Sequence, residues 1–164
     1  SSIKKIGMVV AMDKEVTPFL EKIGKEQQVE KISGFTVRKF NYLDKTIYLV
    51  KSGIGEIYAS SATQLLITKF EVDAILNFGV CGSLTEEIGV ADTVFVDGVV
   101  HYDFDLSPID PVVVGQYPGY DSPIIKVKNE LLDIANNLFK EGLINMLESL
   151  STDKLDYEKL SLEE

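Results

Sequence analysis

Apolar and polar positions along the chain switch between the two periods that mark strands and helices. Ile3 to Met12 is predominantly apolar, as expected of a strand in a parallel sheet covered on both faces. Asp13 to Ile23 reads as a helix, because Val16, Phe19, Leu20 and Ile23 recur at i, i+3, i+4 and i+7 and form one stripe. Gly24 is placed to end it. Gly34 to Tyr42 and Thr46 to Lys51 read as a hairpin across "YLDK", and Tyr58 to Phe70 as a helix opened by "SGIGEI". Val72 to Asn77 and Asp92 to Val100 are further expected strands. Tyr102 to Pro123 is a long loop holding four of the five prolines, a length that points to a functional loop or an interface. Asn129 to Lys140 is an amphipathic helix. From Leu143 the text becomes short acidic helical segments, "LINMLESL" and "LDYEKLSLEE". The order β-α-β-β-α-β-β-loop-α predicts an α/β fold with a mixed central sheet flanked by helices. Residues 1–142 are expected to form that domain, and 143–164 a helical C-terminal segment of it.

One exit from the sheet stands out. In "ILNFGVCGSL" (Ile75 to Leu84) a buried strand breaks into Gly79-Val80-Cys81-Gly82-Ser83. Glycine permits positive φ and close approach to a backbone. A strand followed by such a turn is where open α/β sheets hold small molecules. The same text also describes a tight turn that binds nothing, and a short glycine pattern alone does not choose between them.

Charge and cysteine narrow the classes. A net charge of −10 argues against a nucleic-acid partner and against an anionic membrane surface. Arg38 is the single arginine, so a fork of arginines around a free phosphate is poorly supplied. Cys81 is the single cysteine, which excludes an internal disulfide and fits a reducing, cytoplasmic compartment. The N-terminal apolar run is too short for a signal peptide, and nothing approaches the ~18 apolar residues of a membrane span. His101, the lone histidine, has acids nearby but no third ligand at convincing spacing, so neither a metal nor another cofactor is expected.

Four segments occur together in a familiar order and spacing: "IGMVVAMDKEV", "KSGIGEIYAS", "ILNFGVCGSL" and "VADTVFVDGVVHYDFDLSP". Over residues 3–142 the chain resembles the 5′-methylthioadenosine/S-adenosylhomocysteine nucleosidases of the nucleoside phosphorylase superfamily. That resemblance implies a nucleoside phosphorylase-like fold and hydrolysis of the N-glycosidic bond of an adenine thionucleoside. The family motif A-M-x-x-E falls on Ala11, Met12 and Glu15. It implies that Glu15 activates the attacking water and that Met12 packs near the ribose. Independently, a carboxylate in the first helical turn after a strand stands at the carboxyl edge of the sheet, where it can act as a general base. It can equally do no more than complement the helix dipole.

The same resemblance places Gly55, within "SGIGE", beside the ribose and the phosphate position. It places Val80, Cys81 and Gly82 in the turn that lies against ribose and base, and the glycines are expected to let the backbone approach the ligand. Val80 stands where the family carries a hydroxyl, which predicts a drier site unsuited to phosphate. Cys81 is expected to be a packed thiol rather than a nucleophile, since His101 is the only imidazole available to activate it. "HYDFDLSPIDPVVVGQYPG" resembles the family's dimer loop, which reaches into the neighbouring subunit's pocket. Leu106, Ile109 and Pro118 are then the apolar contacts, and a homodimer through Tyr102 to Tyr120 and the Tyr58 to Phe70 helix is expected.

The family's last third has no counterpart after residue 142. It should hold a Met-Glu pair on the ribose hydroxyls and an Arg-x-x-Ser-Asp segment whose aspartate protonates the adenine. Asp153 and Asp156 match no such pattern. General-acid assistance contributes about 10²–10⁴-fold, so the chain as written is expected to be an incomplete, poor enzyme with an exposed sheet edge. Two alternatives stay open: a purine nucleoside phosphorylase, and a non-catalytic nucleoside-binding or interaction module.

Overall fold

A computed structural model describes residues 3–138, which fall into two compact units, 3–91 and 92–138. The expected helices after Leu143, with Asp153 and Asp156, lie outside the described residues.

The first unit is a three-layer sandwich around a five-stranded sheet in the order β2-β3-β4-β1-β5. Strand β1 (Lys5–Val10) pairs in parallel with β4 (Lys45–Lys51) on one side and β5 (Ala74–Asn77) on the other. Strands β2 (Gln28–Ile32), β3 (Phe35–Tyr42) and β4 form an antiparallel meander. The sheet is therefore mixed, as its sequence order implied. Helix α1 (Asp13–Ile23) links β1 to the meander, and α2 (Glu56–Phe70) links β4 to β5.

Alternation along the strands explains why both faces are covered. Met8 and Val10 of β1, with Phe40, Ile47 and Leu49, meet Val16, Phe19, Leu20 and Ile23 of α1. The intervening Val9, with Val37 and Val50, meets Ala62 and Leu66 of α2. The helical stripe read from the sequence is the one that packs. Phe40, Leu66, Val10, Val37 and Val50 are fully buried, and each such side chain contributes roughly 1.5–3 kcal/mol relative to exposure. Gly7 has no space for a side chain, because a Cβ there would stand 2.8 Å from Ile75 Cδ1 and 3.0 Å from Leu66 Cδ1.

Two features differ from the expectations. The segment before Ser33-Gly34 is strand β2, joined to β3 by a two-residue turn in which both residues have positive φ (51° and 82°). The expected strand from Asp92 to Val100 is reduced to β6 (Gly98–Val99), which pairs with β7 (Ile125–Lys126) in the second unit. An apolar, β-branched run favours extended backbone, but a ladder also needs a neighbour, and only these two residues have one among the described residues. Residues 129–138 are helical.

Candidate functional site

The carboxyl ends of the three parallel strands gather the chemistry of the first unit. The chain leaves β1 through Ala11-Met12 into α1, leaves β4 through Ser52-Gly53-Ile54-Gly55 into α2, and leaves β5 through Phe78-Gly79-Val80. Since β1 is flanked by β4 and β5, its end is a topological switch point, the place where open α/β sheets take ligands.

Glu15 is the focus of this edge. It lies at the third position of α1 and is only 8% exposed. Its Oε2 accepts the backbone N–H of Met12 at 3.1 Å, which closes one half of a capping box. Its Oε1 accepts the backbone N–H of Val80 at 3.1 Å, from the turn after β5. One carboxylate thus ties the exits of two strands together. Each oxygen keeps further lone-pair capacity for a donor such as water. The helix-terminus reading of Glu15 is therefore satisfied by one oxygen, and the other is turned across the sheet.

The turn after β5 is held in place from three sides. Asn77 Nδ2 donates to the Val9 carbonyl at 2.9 Å, bridging the ends of β5 and β1. Phe78 packs into the α1-side core, its ring 6.3 Å from that of Phe19. Gly79 then passes against Glu15 so closely that a Cβ would sit 2.5 Å from Oε1 and 3.0 Å from Cδ. The glycine approach expected of a ligand is here, at Gly79, an approach to the carboxylate.

The β4 exit is built differently. Ser52 is buried, its N–H donating to the Val10 carbonyl at 2.8 Å. Gly53 and Gly55 have φ of 93° and 106°, the left-handed half of the map, where a side chain is disfavoured. Gly55 caps α2 and has open space around its missing Cβ. Lys51 Nζ holds both oxygens of Asp13, at 2.8 and 2.9 Å, and so links the end of β4 to the start of α1.

The structure brings the backbone N–H groups of Met12 and Val80 onto Glu15, and places Gly55, Cys81 and Gly82 in the loops of the same sheet edge. Met12 is half-buried. Val80 contributes its backbone N–H, and the residue is 57% exposed. The expectation of a packed thiol is overturned, because Cys81 is exposed: β5 ends at Asn77, and residues 81–92 all lie at the surface. Leu106, Ile109 and Pro118 belong to the second unit, where Leu106 is half-buried and the other two are exposed. In that unit His101 Nδ1 meets the Tyr117 hydroxyl at 2.6 Å and Nε2 meets Asp103 at 3.2 Å, with Phe104 stacked on the ring. No three metal-ligating side chains cluster among the described residues, and no described helix is long and apolar enough to cross a membrane. Sequence reasoning missed the working parts played by Asn77, Gly79 and the Asp13–Lys51 pair. Gly79 was visible as a glycine, but nothing in the text says which group it faces.

The model of the phosphorylase superfamily matches residues 5–154. The chain is 31% identical over 140 residues to a 5′-methylthioadenosine/S-adenosylhomocysteine nucleosidase of Oceanobacillus iheyensis, covering 85% of this chain and 60% of that one. It is 32% identical over 156 residues to the same-named protein of Bacillus pumilus, covering 91% and 67%. The chain belongs to this nucleosidase family within the phosphorylase superfamily. Solved members share its fold. The Helicobacter pylori nucleosidase with butyl-thio-DADMe-Immucillin-A superposes with a TM-score of 0.79 at 30% identity, covering 87% of this chain and 60% of that one. The futalosine hydrolase of Helicobacter pylori gives 0.79 at 30% identity, covering 85% and 59%. The chain thus spans about 60% of the length of these solved relatives.

Proposed function

We propose that the chain carries the water-activating part of an N-glycosyl hydrolase acting on an adenine thionucleoside of the methylthioadenosine/S-adenosylhomocysteine type. The observation that carries this reading is Glu15: a nearly buried carboxylate at the switch point, oriented by two backbone N–H groups. In the reaction, water attacks the anomeric carbon and the C–N bond breaks. One water proton passes to Glu15, and the purine leaves as it gains a proton at nitrogen. No group for that second proton is assigned among the described residues. Met12, Gly55, Val80, Cys81 and Gly82 line the proposed nucleoside pocket, and no cofactor enters the chemistry. Residues 1–142 are taken as one nucleoside phosphorylase-like domain. Salvage of purine and methionine in the cytoplasm, and a homodimer using Leu106, Ile109 and Pro118, complete the proposal.

Phosphorolysis is disfavoured by the fate of Arg38. It lies on β3 and its guanidinium is 2.9 Å from Glu26, so the single arginine is already engaged by a carboxylate. The test is adenine release from methylthioadenosine, with and without phosphate, by wild type and Glu15→Gln, with futalosine as the comparison substrate. In a chain that also carries the leaving-group acid, the variant is expected to lose about 10²-fold or more in kcat, with ligand affinity kept within about tenfold; without that acid no measurable turnover is expected. Full turnover in Glu15→Gln refutes the water-activating role. Acceleration by phosphate favours the phosphorylase, and nucleoside binding without release favours a non-catalytic module.

A further inference from the structure

We propose that Gly79 is a positioning residue for Glu15: its missing side chain is the seat of the carboxylate, and the Val80 N–H that follows sets the carboxylate's orientation. This rests on the proposed role of Glu15 and adds to it the residue that aims the base.

Glycine occurs where the backbone needs positive φ or where another group comes close. Gly79 is not among the positive-φ residues, so backbone conformation does not require it. Space does. The three atoms nearest a Cβ at this position are Oε1, Cδ and Oε2 of Glu15, at 2.5, 3.0 and 3.4 Å. No other residue is as near. Alanine would therefore push Oε1 outward by about 0.9 Å to reach an ordinary 3.4 Å contact. The turn cannot easily retreat instead. Asn77 ties it to Val9 at 2.9 Å, and Phe78 is packed beside Phe19. Glu15 is equally constrained on its other side, where Oε2 is held by the Met12 N–H. With the turn anchored upstream at Asn77 and Phe78 and Oε2 held by Met12, the displacement falls on Oε1 and on its bond to Val80. A misplacement of about 1 Å in a reacting group costs up to ~10²-fold in rate.

The experiment combines amide hydrogen exchange with turnover in wild type, Glu15→Ala, Gly79→Ala and the double variant. Glu15→Ala is expected to speed exchange at the Val80 amide about tenfold or more, because its acceptor is gone. Gly79→Ala is expected to do the same while the amides of Val9 and Val50 keep their protection, which a loosened fold would not allow. Adenine release is expected to fall about 10²-fold in Gly79→Ala with KM within about threefold. The same alanine should change nothing further in the Glu15→Ala background. If Gly79→Ala alone does not fold, the double variant decides: it folds if the clash is with the carboxylate, and its failure overturns the proposal. Unchanged Val80 exchange in Glu15→Ala also overturns it, even where Glu15 proves essential for turnover. Coupled exchange together with undiminished turnover in Glu15→Gln leaves the seat standing and removes the water-activating role instead.

Discussion

Replacing Glu15 by glutamine exchanges one carboxylate oxygen for an NH₂ group in a place where both oxygens accept backbone N–H groups, each at 3.1 Å. Glutamine supplies one acceptor. Whichever way the amide is turned, either Met12 or Val80 loses its partner and faces a donor. A buried donor left without an acceptor costs about 1–3 kcal/mol, and the lost charge in the first turn of α1 about 0.3–1 kcal/mol more. Water relieves part of this, since Val80 borders solvent and Met12 is half-buried. A net loss of about 1–2 kcal/mol is the expectation, or roughly 2–8 °C in Tm for a chain of this size. Circular dichroism melts of the ligand-free wild type and Glu15→Gln at neutral pH measure it directly. A Tm within about 1 °C of wild type would refute the claim that the carboxylate holds the two strand exits together. The isosteric variant is thus not silent in structure, and its turnover must be measured well below its own melting point.

Asp73 offers a pH test. Its Oδ2 accepts the N–H groups of Lys5 and Lys4, each at 2.8 Å, and these bonds, Lys5 first, hold its carboxyl below the ordinary value of 3.8. Its contribution is therefore complete above the unfolded value and is lost as pH falls through the lower folded one, so Asp73→Asn should flatten the decline of Tm below about pH 4. Parallel acid limbs in the two proteins would count against it. The proposed dimer is tested by sedimentation velocity at micromolar concentration. Ile57 and Tyr58 of α2 and Ile109 of the second unit expose apolar surface of the kind a partner would cover, and a monomer alone at that concentration refutes the dimer.

Where packing follows period, the sequence was informative. Val16, Phe19, Leu20 and Ile23 face the sheet because four residues at helical spacing leave no other common face. Strand β2 was missed because an edge strand is half solvated. Gln28, Val29 and Lys31 are exposed, so the apolar alternation that marks a covered strand is faint. The Ser33-Gly34 dipeptide was the available signal, since both residues turn to positive φ. Glu15 was legible as a position but not as a contact. Its link to Val80 spans 65 residues, and no local pattern records such a pair. Cys81 was misread for a related reason: small apolar neighbours in sequence say nothing about whether a later segment packs over them.

The central place of β1 in the sheet has a consequence for how the chain reaches this state. Gly7 pairs with Tyr48 and with Ile75, so neither partner of β1 exists until long after β1 has been synthesised. The β2-β3-β4 meander can form from near neighbours, whereas β1 waits for contacts of high sequence separation, whose loop closure is slow. During that interval the "KIGMVV" segment is an unpaired apolar strand, the kind of surface on which nascent chains associate wrongly. Lys4 and the flanking Asp13-Lys14 put charge on either side of it, and such flanking charges act as gatekeepers against misassembly while the strand waits.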